Sequence, residues 1–349
     1  MTTRVVPLLL ASTVLFFLAY APFTSAQLSL TGLERPLSLM MAPEYPAPGE
    51  NVHLTVQSYG LDLNRSIVVW YENGKEIARG IGVTTATIIA GKLGSRTTIE
   101  VVAEDDAGLV GSAQATIRPT EVDLLWQTDS YVPPFYEGRA LPGTSATIRA
   151  QALARFKQMN GALLPDTSII YTWYKNGTKI ASGRGKSSAM FPGPTLFGSD
   201  DIRVVAESAD GTLRGATRAR ITSVDPSVEL YENHPLFGTL FHRALAAGAR
   251  TTETEEEVVA VPYFAHVRSP RDASLSYAWE VNGTPVAADP KVPDTLIITT
   301  DGYTGPATIT LTLTSLADIF LRATGSWQII FDQGNSTIFG TDPFGGSAN

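Results

Sequence analysis

The sequence contains no cysteine. That excludes a disulfide framework, thiolate metal sites, a cysteine nucleophile and lipid attachment through a cysteine. Domains of about 100 residues bury enough apolar surface to fold without such staples. Histidine is also scarce: His53, His234, His242 and His266 are scattered without metal-ligand spacing. No Gly-x-Ser-x-Gly elbow, His-Glu-x-x-His pair or phosphate-binding loop occurs. No catalytic residue, cofactor or metal is therefore expected, and the chain reads as a non-enzyme. Charged residues make up only 17% of the chain and sum to −8. An acidic surface is a poor match for nucleic acid or anionic lipid, both of which select basic surfaces.

Long apolar runs are absent except at the start. Arg4, the apolar residues 5–20 and the small residues Thr24, Ser25 and Ala26 have the form of a secretory signal. Residues 1–26 are thus expected to direct export to the cell surface or beyond. An uncleaved signal anchor stays open, and membrane contact is expected only through that segment. Residues 334–349, rich in Gly, Ser, Asn and Asp, read as a disordered tail.

What the sequence does contain is a phrase used three times. Trp70-Tyr71-Glu72-Asn73-Gly74, Trp173-Tyr174-Lys175-Asn176-Gly177 and Trp279-Glu280-Val281-Asn282-Gly283 lie one small domain apart. Asn-Gly between apolar runs signals a hairpin, because a type I′ turn needs positive φ at both central residues. A simple two-residue hairpin places Trp70 across from Ile77, Trp173 from Ile180 and Trp279 from Val286. Trp70, Trp173 and Trp279 are accordingly expected to anchor three cores. Ile99-Glu-Val-Val-Ala-Glu104 recurs as Ile202-Arg-Val-Val-Ala-Glu207, and Val52, Leu54 and Val56 alternate with polar residues, as half-buried antiparallel strands do.

The Trp-Tyr-x-Asn-Gly phrase resembles the central strand of bacterial immunoglobulin-like domains. The third copy, Tyr277-Ala278-Trp279 with Gly302-Tyr303-Thr304 and Ile309-Thr-Leu-Thr-Leu-Thr314, is similar to PKD-type domains, although Asn282-Gly283 departs from their usual Gly-Asp-Gly-like turn. The resemblance implies an all-β chain of three tandem Ig/PKD-like antiparallel sandwiches, at 37–119, 121–225 and 227–333. It also implies spacer, adhesive or accessory roles. The short linkers Pro119-Thr120-Glu121 and Asp225-Pro226-Ser227 suggest a semi-rigid rod.

Three features set the modules apart. Module 2 carries extra residues at 154–166, including Phe156, in a loop where binding specificity often resides. Modules 2 and 3 share a long lead-in, Tyr136-Glu-Gly-Arg139 in one and Phe241-His-Arg243 in the other. Tyr131-Val-Pro-Pro-Phe135-Tyr136 is the densest aromatic cluster, and its prolines keep it out of a central strand. It is placed at the junction with module 1, either as a contact surface or as a plug, with Arg139 and Arg243 tying down the lead-ins. Tyr131, Phe135, Tyr136, Arg139, Phe156 and Arg243 are therefore the candidate binding residues. The acidic run Thr251 to Glu257 reads as a solvated edge strand, charged against aggregation. The functional expectation is a structural or adhesive component of an envelope or pilus-type assembly, with protein partners. The alternative is a carbohydrate-binding protein that holds glycans on the exposed aromatics of module 2.

Overall fold

A computed structural model describes residues 37–299 and 302–332. The expected signal segment and tail lie outside the described residues. The described residues form three all-β sandwiches in sequence, each with its own apolar core. Module 1 comprises β1 (Leu37–Ala42), β2 (Asn51–Ser58), β3 (Ile67–Glu72), β4 (Lys75–Ile81), β5 (Thr85–Ile89), β6 (Thr97–Glu104) and β7 (Val110–Ile117). Its sheets run β1-β2-β5 and β4-β3-β6-β7.

Module 2 repeats that plan with β8 (Glu121–Thr128), β9 (Thr147–Arg155), β10 (Ile169–Lys175), β11 (Thr178–Arg184), β12 (Ser188–Pro192), β13 (Ser199–Ser208) and β14 (Arg214–Thr222). The sheets are β8-β9-β12 and β11-β10-β13-β14. Module 3 is larger, with β15 (Ser227–His234), β16 (Gly238–Ala244), β17 (Ala249–Thr251), β18 (Glu255–Tyr263), β19 (Leu275–Val281), β20 (Thr284–Val286), β21 (Thr295–Thr299), β22 (Gly305–Ser315) and β23 (Arg322–Phe331). Its first sheet is β16-β15-β18-β21; its second is β17-β23-β22-β19-β20, in which β17 runs parallel to β23.

The repeated phrase builds the same device in each module. Trp70 and Trp173 are fully buried and Trp279 nearly so. Each indole N–H donates to a backbone carbonyl beyond the hairpin: Val83 at 2.8 Å, Lys186 at 2.9 Å and Pro293 at 3.0 Å. The Asn-Gly pairs take the type I′ form, with Asn φ of 49°, 49° and 50°. Each Asn has a second role that explains its choice over other turn residues. Its backbone N–H donates to, and its side-chain oxygen accepts from, one residue of the next strand: Thr98, Asp201 and Thr308. The hairpin tip is thereby sewn to the neighbouring strand.

The Trp pairing departs from a simple hairpin in two modules. Trp70 faces Ala78 and Trp173 faces Ala181, because a bulge leaves Ile77 and Ile180 as the extra residues. The small alanine sits opposite the large indole, and the isoleucines move to the exposed side. In module 3 the register is unbroken and Trp279 faces Val286.

The acidic run has a free side, but it leads into a strand that is central beyond it. Glu255, Glu256 and Glu257 open β18 and pair with β21 alone, while β15 joins the other side from Val258 onward. The apolar residues Val258 to Val261 that follow are buried. Burial pushes the Glu256 carboxyl above its ordinary value, chiefly through lost hydration.

Candidate binding surfaces at the module junctions

The aromatic cluster of module 2 lies at the junction with module 3, not with module 1. After β8 the chain leaves the sheet at Asp129 and crosses to the loop that follows β18. The Tyr131 N–H donates to the Ala265 carbonyl and the Phe264 N–H donates to the Tyr131 carbonyl, both at 2.8 Å. This is a two-bond ladder between modules. The Tyr131 ring packs against both apolar clusters of module 3. Burial, with the Asp294 carboxylate as a lesser cause, raises the pKa of its hydroxyl. Tyr136 meets Tyr263 and Phe264 edge to face, with ring centroids 5.9 and 6.0 Å apart. The Tyr263 hydroxyl bonds that of Tyr231, and burial raises the pKa of Tyr263 as well. Asp129 and His266 approach to 3.3 Å across the same junction.

The direction of β8 sets this placement. The lead-in follows the first strand of module 2, and that strand runs toward the end of the sandwich nearest module 3. The sequence marks a lead-in but not which end of the sandwich it reaches.

Two junction residues carry no sequence signal of their role. Gly143 approaches module 3 so closely that an added Cβ would lie 2.0 Å from the Phe264 carbonyl oxygen. Phe264 has φ of 59°, a strained conformation for an aromatic residue. Gly143 aligns with Gly49 in the repeated Pro-Gly, yet Gly49 has φ of 77° and open space around it. One position needs glycine for its backbone, the other for contact.

The remaining candidates separate. Phe156 is fully buried in the core of module 2 and is not a binding residue; it starts the insertion and anchors it. Arg139 stacks on Trp126, 4.4 Å from the ring centroid. Arg243 pairs with Glu232 at 3.2 Å. Each arginine thus ties its own lead-in to the preceding strand, and neither meets the cluster at Tyr131. Of the cluster's aromatic rings only Phe135 is exposed, at 91%.

The junction of modules 1 and 2 is built differently. Thr120 of the linker is buried, and its hydroxyl donates to the Arg214 carbonyl at 2.8 Å. The Arg214 guanidinium lies 5.3 Å from the Tyr45 ring centroid. The insertion reaches this junction, where Lys157, Gln158 and Met159 face Gly94, Arg96 and Arg118 across a cleft of about 410 Å³. The extra loop therefore serves the module 1 side, while the aromatics serve the module 3 side.

Among the described residues no group of His, Asp and Glu is arranged to hold a metal ion. Among them also, no helix is long and apolar enough to cross a membrane.

No protein-family model and no curated protein matches the chain. Solved structures similar to it include fibronectin III modules. The fibronectin(III)-like modules of Clostridium thermocellum CbhA are 14% identical, covering 53% of this chain and 94% of that one, with a TM-score of 0.26. The central fibronectin-III array of RIM-binding protein is 15% identical, covering 86% and 99%, with a TM-score of 0.29. A Bacteroides ovatus protein, SGBP-B of a mixed-linkage glucan utilization locus, solved with a mixed-linkage heptasaccharide, is 14% identical over 85% of this chain and 70% of that one, at a TM-score of 0.24. Likenesses of this size carry no argument about ligand or partner; the sandwich fold stands on the sheet topology above.

Proposed function

We propose that this chain is an exported, non-catalytic structural or adhesive protein that acts through protein–protein contacts in an envelope or pilus-type assembly. The observation that carries the reading is the backbone ladder between Tyr131 and Phe264-Ala265. A protein that spends its densest aromatic cluster on fixing one module against the next is built to hold its ends in a set relation. Export is supported by the apolar segment after Arg4. The glycan alternative loses its platform, since Tyr131 and Tyr136 face module 3, Phe156 is core, and Phe135 alone remains exposed.

The test is crosslinking of tagged chain in intact cells of the source organism, followed by capture and mass spectrometry. Recovery of a few proteins at stoichiometric yield is the expected result. Retention of the bait on glycan material with no protein partner, abolished by Phe135→Ala, would overturn the reading in favour of sugar binding.

A further inference from the structure

The hairpin sheets of modules 1 and 2 present the same tyrosine on their outer faces, with opposite charges around it. Side chains alternate across a sheet, so the residue after each buried Trp points away from the core. In module 1 one cross-strand row reads Glu76, Tyr71, Glu100, Gln114. The corresponding row of module 2 reads Lys179, Tyr174, Arg203, Arg218. Two rows further on, module 1 has Ile81, Ile67, Glu104 and Val110, whereas module 2 has Arg184, Ile170, Glu207 and Arg214. The matching row of module 3 is Pro285, Glu280, Thr310 and Ser326, which fits neither pattern.

Two physical points make the module 2 face unusual. Arg203 and Arg218 lie directly opposite each other, an arrangement that destabilises a sheet by like-charge repulsion. Neither has an acidic partner within the module, and both are exposed, as are Lys179 and Arg184. In a chain of net charge −8, this face is a local basic excess, in which Glu207 offsets Arg214 at 3.8 Å and leaves Arg203 and Arg218 unpaired. The module 1 face supplies the complement. Glu104 is exposed and Glu100 half-buried, neither in an ion pair; Glu104 shares its row with Ile67 and Ile81, which are 47% and 69% exposed, and Glu100 adjoins Tyr71. Glu76 alone is held locally, by Arg79 at 2.8 Å.

We infer that the outer face of the module 1 hairpin sheet docks on that of module 2 in a second copy of this chain. Strands in both sheets are spaced about 4.8 Å apart, so an acidic row and a basic row around matched tyrosines meet in step. The contact covers Ile67 and Ile81 and gives Arg203 and Arg218 the anions they lack. Module 3, without either charge pattern, is left out, which sets which modules pair. This inference rests on the reading of the chain as a protein-contact component and names one partner.

Sedimentation velocity of the purified chain at about 20 mM and about 500 mM salt tests it, since the screening length falls severalfold over that range. Association at low salt that weakens at least about tenfold at high salt is the expected result. Arg203→Glu with Arg218→Glu is expected to weaken it to a similar extent, and so is Glu100→Arg with Glu104→Arg. Combining all four changes in one chain is expected to restore association, which a merely unfolded variant cannot do. A monomer at both salts, association that both reversals leave unchanged, or a combined variant that stays dissociated would overturn the inference. So would a monomeric chain whose module 2 face instead binds polyglutamate or heparin. A monomeric chain that still captures other proteins in cells would overturn this contact and leave the proposed function standing.

Discussion

Replacing Trp173 by alanine is expected to unfold module 2. The side chain is fully buried at the centre of its core, among Ile148, Tyr171, Phe191 and Val204. Removing a buried Trp costs about 3–5 kcal/mol in lost burial and residual cavity. The loss also leaves the Lys186 carbonyl without its indole donor, which adds about 1 kcal/mol or more if water does not reach it. A domain of this size holds only about 5–15 kcal/mol in total. The check is differential scanning calorimetry: one transition drops by at least about 12 °C or disappears, while the transitions of modules 1 and 3 persist. Ile180→Ala gives the contrast. Ile180 is the bulged, partly exposed residue and not the partner of Trp173, so its loss is expected to cost under about 1 kcal/mol. Equal costs for the two changes would contradict the bulged register.

Gly143→Ala is expected to separate modules 2 and 3 without unfolding either. A Cβ 2.0 Å from the Phe264 carbonyl oxygen cannot be accommodated by rotating a side chain, because the obstacle is backbone. The loop after β18 must retreat, and with it go the Tyr131 ladder and the edge contacts of Tyr136. Loss of two hydrogen bonds and of aromatic contacts amounts to about 2–4 kcal/mol of coupling between modules. Phe264, no longer held at φ of 59°, is expected to relax to an ordinary conformation, which returns about 1–2 kcal/mol of that loss. Calorimetry should show the transitions of modules 2 and 3 drawing apart, and limited proteolysis should cut between residues 129 and 143. Gly49→Ala is the matched control. It introduces local strain of about 1 kcal/mol at a positive φ with nothing nearby to displace, and leaves the junctions intact. If both variants behave alike, the close approach at Gly143 has no role at the junction.

Much of this fold was legible because each signal was local. Asn-Gly dictates a type I′ turn, and period-two patterning places Val52, Leu54 and Val56 inside. The bulges opposite Trp70 and Trp173 were not legible, since they depend on whether an alanine or an isoleucine fits across from an indole in three dimensions. The site was legible in part. Aromatic density drew attention to Tyr131 and Tyr136, and both are at a junction. Which junction was hidden, because a lead-in can reach either end of a sandwich and nothing in its composition says which. Phe156 shows the opposite limit: an apolar residue at the start of an insertion reads as surface until packing assigns it to the core. Gly143 and Phe264 act through backbone proximity between modules, which leaves no pattern within either one.

Modules 2 and 3 are held in one relation by the ladder at Tyr131. The absence of native cysteine allows two engineered ones, Thr178→Cys and Thr284→Cys at the exposed hairpin tips, to carry spin labels at those sites alone. Electron double-resonance distance measurement between them is predicted to give one narrow distribution. A broad distribution, unaltered by Gly143→Ala, would show that the modules move independently and that the Tyr131 ladder does not fix them.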